Sequence, residues 1–260
     1  MKKIISAFFI FLIFFISFNL IKSSPVYANG VLTQIEFNPY DSVVDSEKQV
    51  VYMTKLGSNT IYSVDYKSGN IISLDLPYPA EKMELYDGGL YVTQHKTAHD
   101  RYDFGPYEAA IAKVDTESFT LTDLFDINAD PYDIAIDKEG YLYVTPGSGQ
   151  YEIMKVFSLK EKKEVSNGNH PFLTMWQNST IQYNPETSTI YTMNREISNQ
   201  VTVFKVNNGI IENYFRSHYH EKYSLHGNVT KISPDGHYIY NSTYGHVFYL
   251  PDTLITDNQL

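Results

Sequence analysis

The chain has 260 residues, no cysteine, and 30 acidic against 20 basic side chains, for a net charge of −10. Without Cys it can form neither a disulfide nor a thiolate metal site, and the surplus of acid argues against nucleic acid and anionic membrane as partners. Its 23 Tyr and 15 Phe favour strands over helices.

In chain order, the first predicted element is an export signal. Lys2 and Lys3 precede an apolar run from Ile4 to Ile21, broken only by Ser6, Ser17 and Asn19. Val26-Tyr27-Ala28 then fits the −3 and −1 positions of a cleavage site, so residues 1–28 read as a secretory signal peptide. The alternative is an uncleaved anchor, because the run is near the lower limit for spanning a bilayer. Cleavage leaves residues 29–260 as a single domain with 17 basic and 30 acidic side chains, large enough for one sizeable core. The expected location is secreted, extracellular or associated with the cell envelope, with no membrane contact after cleavage.

A repeated strand follows. "VVYMT", "GLYVT", "YLYVT", "TIYTM" and "YIYNS" align on Tyr52, Tyr91, Tyr143, Tyr191 and Tyr240, at spacings of 39, 52, 48 and 49 residues. Four copies are preceded by a strand and a polar turn: "MELYDGG", "IAIDKEG", "IQYNPETS" and "KISPDGH". The first copy has no clear opening strand, and "VLTQIEF" (Val31 to Phe37) is a candidate to serve it or another blade. After the repeated strand come a loop and a third alternating strand, as in "AAIAKVDTESFT", and several units end in a short fourth strand such as "LTDLFDI". Four strands at a period of about 40 to 50 residues predict an all-β fold, a β-propeller of four-stranded antiparallel blades. The competing fold is a β-sandwich with similar hairpins.

"LYVTQ", "LYVTP", "VDTESF" and "ISPDGHYIY" resemble the YVTN-repeat and lactonase-like propellers of secreted bacterial proteins, over roughly residues 48–250. The fourth motif position departs from that pattern, being Gln94 or Pro146. The resemblance implies six or seven blades, whereas about five are recognisable, the last incomplete after "HVFYL". A truncated ring, a five-bladed ring and a ring completed by another chain all stay open.

In a propeller, the blade-to-blade loops and the loops joining second to third strands share one face. Here the former include "PYPAEK", "NADPYD", "LTMWQN" and "YSLHGN". The second-to-third loop "QHKTAHDRYDFGPYE" is the long one. It gathers His95, His99, Asp100, Arg101, Tyr102, Asp103 and Tyr107, a mixture that suits a divalent metal or acid–base chemistry. Because His95 and His99 at i, i+4 share a face only on a helix, the expectation is a solvated polar insertion. "GSGQ" (Gly147 to Gln150) lacks the following helix that a phosphate cradle needs. His218 and His220 alternate onto one side of a strand but read as an exposed bend. Trp176 lies where a blade begins, placed to stack on a sugar or to pack between blades.

The residues expected on the ligand-binding loop face are His95, His99, Asp100, Arg101, Tyr102, Trp176, Arg195, His226 and His246. No Ser-His-Asp set, metal ligand set or cofactor motif is legible. The expected function is a non-enzymatic binding module for a protein or a cell-wall glycan. The rival is a lactonase-like or lyase-like enzyme, which requires His and carboxylate groups to converge at the channel mouth. A third reading, an incomplete propeller, requires an exposed apolar face near Tyr240, Val247 and Phe248.

Overall fold

In a computed structural model the chain divides into two compact units, Met1–Leu32 and Thr33–Leu260. The structure describes residues 34–168, 173–194, 200–216, 230–233, 235–241 and 245–249, all within the second unit. The proposed signal, residues 1–28, lies outside them.

The described elements are all strands, grouped into blades of sequential antiparallel neighbours. Blade 1 is β1 (Ser42–Asp45), β2 (Val50–Thr54), β3 (Thr60–Asp65) and β4 (Ile71–Asp75). Blade 2 is β5 (Ala80–Tyr86), β6 (Gly89–His95), β7 (Ala109–Asp115) and β8 (Thr120–Ile127). Blade 3 begins with β9 (Pro131–Ile136) and β10 (Tyr141–Pro146), then is interrupted by β11 (Tyr151–Ile153). It resumes with β12 (Lys155–Ser158) and β13 (Lys163–Glu164), while β11 pairs instead with β14 (Thr174–Trp176). Blade 4 is β15 (Thr180–Asn184), β16 (Thr189–Met193), β17 (Val201–Asn207) and β18 (Ile210–Arg216). Blade 5 has three described strands, β19 (Thr230–Ile232), β20 (Tyr238–Asn241) and β21 (His246–Tyr249). The inner strands β1, β5, β9, β15 and β19 lie side by side in that order.

Two sequence expectations need correction. The first opening strand is Ser42–Asp45, and residues 34–37 of the "VLTQIEF" segment are not strand. Its turn contains neither Gly nor Pro. Instead Asp45 closes it, Oδ1 accepting from the N–H groups of Glu47 at 3.1 Å and Lys48 at 3.0 Å. The third strand of blade 3 is also shorter than "EIMKVFSLKEKK" suggests, because Glu152 and Ile153 belong to the extra hairpin.

The core lies between blades. One cluster joins Tyr52 and Ile61 of blade 1 to Met83, Leu90 and Val92 of blade 2. A second joins Tyr91 and Ile111 to Ile134 and Val144 of blade 3. The next two join blade 3 to blade 4 through Tyr143 and Phe204, and blade 4 to blade 5 through Tyr191 and Ile239. Strand alternation explains this layering, since successive side chains enter opposite layers. The aligned Tyr52, Tyr91, Tyr143 and Tyr191 each face the following blade.

The threonine of the repeated motif has a separate role. Thr54, Thr93 and Thr145 accept backbone N–H bonds from Asp41, Lys82 and Asp133 at 3.1, 2.9 and 3.1 Å. These donors lie where regular inner-strand pairing begins or shifts. The hydroxyl therefore satisfies a buried donor that the ladder leaves over. The carboxylates of Asp41 and Asp133 then accept from Met83 N–H at 2.9 Å and Ile181 N–H at 3.0 Å in the next blades.

Candidate functional site at the junction of blades 2 and 3

His95 is the last residue of β6, not part of the loop, and is only 6% exposed. From it the chain turns outward and back, returning His99 beside His95 with ring centroids 4.6 Å apart and planes at 79°. The expectation of a solvated insertion therefore fails at His95 and His99, while Asp100, Arg101, Tyr102 and Phe104 are exposed as expected. A loop that doubles back brings i and i+4 together as effectively as a helix does.

Backbone bonds hold this return in place. Asp100 N–H donates to Ser148 Oγ at 2.8 Å, and Gly149 N–H donates to the Asp100 carbonyl at 3.1 Å. Gly147 N–H donates to the Asp130 carbonyl at 2.8 Å, and Ser148 Oγ donates to Asp130 Oδ2. The "GSGQ" turn is thus a seat for the blade 2 loop. A Cβ on Gly147 would lie 2.3 Å from the His99 ring, so only glycine permits this approach.

Two carboxylates complete the cluster. Glu81, at the start of β5, places Oε2 3.2 Å from His99 Nε2 and 3.7 Å from His95 Nε2. Asp130, just before β9, places Oδ2 2.8 Å from His99 Nδ1 and Oδ1 3.5 Å from His95 Nδ1. Both Nδ1 atoms therefore face Asp130 and both Nε2 atoms face Glu81. His99 is hydrogen-bonded at each nitrogen. His95 is not, although both its nitrogens are fully buried.

The charges favour one another. Burial alone would lower the His99 pKa, but hydrogen bonds to Asp130 and Glu81 push it up to about 9. Burial opposes ionisation of Asp130, yet the His95 and His99 rings and the Ser148 hydroxyl hold its carboxyl well below the usual range. Burial likewise opposes ionisation of Glu81, but His99 and His95 hold that carboxyl below its ordinary value. At neutral pH the site is a cationic imidazole between two carboxylates. The Tyr40 phenol adjoins Glu81, and burial and that carboxylate push its pKa far upward.

Next to Glu81 in the chain, Lys82 Nζ lies 3.7 Å from Asp41 Oδ1 and over the rings of Tyr40 and Tyr132, at 5.0 and 5.9 Å. Glu84, half-buried on β5, has its carboxyl pushed up to about 8 by burial and by Asp133 and Asp41, with Lys231 opposing.

Outside the histidine pair the loop is aromatic. Arg101 lies over the Trp176 ring at 5.3 Å, and Tyr151 meets Trp176 edge-on at 4.7 Å. Trp176 is buried, on the extra hairpin, while Tyr102, Phe104 and Tyr151 are 72%, 62% and 55% exposed.

Of the residues expected on the loop face, the structure brings together His95, His99, Asp100, Arg101, Tyr102 and Trp176. Arg195 and His226 lie outside the described residues, as do His218 and His220. His246 pairs with Asn241 in β21, and its side chain lies outside the description. The sequence reading missed Glu81, Asp130, Gly147 and Ser148. Its signal was available, because "PYPAEK" and "NADPYD" are blade-to-blade loops on the same face and each holds one of the two carboxylates.

Solved structures share this fold. A Bacteroides thetaiotaomicron protein of unknown function superposes with a TM-score of 0.59 at 12% identity, covering 83% of this chain and 56% of that one. Hydrazine synthase of Kuenenia stuttgartiensis gives 0.57 at 13% identity, covering 82% and 58%. The WD40 domain of Neurospora crassa Pan2 gives 0.52 at 12% identity, covering 76% and 57%. This chain thus spans a little over half the length of each of these three chains. No protein-family model and no curated protein matches it. The fold defined by the blades and these likenesses is a β-propeller, with five blades among the described residues.

Proposed function

We propose that this is an exported propeller that binds a protein partner through the loop face of blades 2 and 3. The observation that supports the reading best is the Arg101–Trp176–Tyr151 cluster with Tyr102 and Phe104 exposed beside it. Tryptophan and tyrosine are enriched in binding hot spots because they bury much area with few torsions to freeze, and arginine because its planar guanidinium stacks and hydrogen-bonds at once. Here the anchor is prearranged, since the insertion is bonded to blade 3 before any partner arrives. Propellers seen in protein assemblies, such as the nidogen of a nidogen/laminin complex, agree with this use of the fold. The signal-like residues 1–28 support export, and the YVTN-like motifs support kinship with the secreted bacterial propellers.

The test is affinity capture from cell envelope with the mature chain and with an Arg101→Ala, Tyr102→Ala, Phe104→Ala variant. A protein retained by the first and lost by the second supports the reading. Retention on purified peptidoglycan, lost in the same variant, would make the ligand a glycan. Equal retention by both chains would overturn the assignment of this face.

A further inference from the structure

The histidine–carboxylate cluster has an internal order that a chance ion-pair knot does not need. Two Nε2 atoms point at one Glu81 oxygen, and two Nδ1 atoms point at one carboxylate, Asp130. An acidic group behind Nδ1 fixes the imidazole tautomer and leaves Nε2 as the lone-pair donor. A tetrahedral ion with bonds of about 2.0 to 2.2 Å separates its ligand atoms by about 3.3 to 3.6 Å. The two Glu81–histidine separations, 3.2 and 3.7 Å, bracket that edge. Glu81, His95 and His99 each offer one ligand atom, all within 4.8 Å of one another.

A second observation points to a ligand independently of the clustering. His95 is 6% exposed and neither of its nitrogens makes a hydrogen bond. Contacts of 3.5 and 3.7 Å are too long to satisfy a buried polar group. Such a group is costly unless something else occupies it.

We propose that Glu81, His95 and His99 bind a zinc-class divalent cation, with Asp130 as the positioning residue behind both rings. Two imidazoles and one carboxylate select a borderline ion over calcium or magnesium, which prefer all-oxygen sets. Three protein ligands leave a fourth position for water or for a donor atom of a bound ligand. The ion also ties the blade 2 insertion to the inner end of β5, since His99 belongs to the former and Glu81 to the latter. The proposal stands apart from the partner-binding reading, because its test reads metal and no partner.

The experiment is calorimetric titration of zinc into the EDTA-stripped mature chain, purified without a histidine tag, alongside calcium. The expected result is one equivalent of zinc, no comparable calcium binding, and a Tm that rises with zinc. Asp130→Asn should keep the stoichiometry and weaken affinity about 10- to 100-fold. His95→Ala with His99→Ala should abolish the site. Zero equivalents, or one equivalent retained by the double variant, overturns the proposal and leaves an ion-pair cluster or a surface histidine site. If the variants fail to fold by circular dichroism, the cobalt(II) form of the unmodified chain decides. Strong visible bands of a four-coordinate nitrogen–oxygen site support it, and the weak spectrum of hexa-aqua cobalt contradicts it.

Discussion

The repeated motif meets two different environments in this molecule. At the junction of blades 2 and 3, Tyr91 is 6% exposed, and Tyr143 in the next layer is fully buried with its hydroxyl 2.9 Å from Asp137 Oδ2. In blade 5 the same motif position, Tyr240, is 47% exposed, together with Val247 at 58% and Tyr249 at 58%. Ile239, between the exposed Tyr238 and Tyr240, is buried against blade 4, so blade 5 is packed on one face and bare on the other among the described residues. The motif is alike and the neighbour differs. In a stacked repeat, burial belongs to the interface and not to the repeating unit. The exposed Tyr240 and Val247 also agree with what the incomplete-propeller reading requires, and the Phe248 side chain lies outside the description.

The largest expected contrast breaks the comparison directly. Tyr143→Ala removes a fully buried ring and the hydrogen bond to Asp137 Oδ2, and should cost about 3 to 5 kcal/mol. Tyr240→Ala removes an exposed ring and should change stability by no more than about 0.5 kcal/mol. Urea unfolding of the two variants measures both. A similar cost at each would mean that something covers the blade 5 face in solution.

A smaller effect sharpens the account of the junction. Gly147→Ala drives a methyl into the His99 ring and should cost about 1 to 3 kcal/mol. Because the insertion rests on this seat, the variant should also be cut by protease within residues 96–108 before the rest of the domain. Protection equal to the unmodified chain would show that the loop does not depend on the seat.

A further effect depends on pH and belongs to Glu84 on β5. Glu84 titrates near 8 in the folded chain against 4.5 as its ordinary value, so the folded state holds the proton more tightly. Stability is therefore unaffected by this group below about pH 4.5 and falls as pH rises towards 8, where the carboxylate is charged in both states. Glu84→Gln removes that loss. Its Tm should match the unmodified chain at low pH and exceed it above pH 8. A constant difference across the range would place Glu84 in contact with water.

Much of the fold was legible because propeller blades are local. Each hairpin is written in adjacent residues, as in "KISPDGHYIYNS", where Ser233 and Asp235 bond the turn they sit in. What escaped was set by distance along the chain. Glu81, His99, Asp130 and Ser148 come from four separate segments on two blades, and nothing in the spacing of any one segment relates them. His95 and His99 were named, but their meeting depends on Gly147, 48 residues beyond His99, being small enough to let the loop fold back. The two-stranded β11–β14 ribbon escaped for the same reason, since each strand has only three residues and its partner lies past a whole β12–β13 pair.

The most direct test of the cluster's geometry is X-ray absorption at the zinc edge of the zinc-loaded mature chain. The account predicts two imidazole nitrogens and carboxylate oxygen at about 2.0 to 2.2 Å, with imidazole scattering lost when His95 and His99 are replaced. A shell of oxygen alone, or imidazole scattering that survives both replacements, would contradict it.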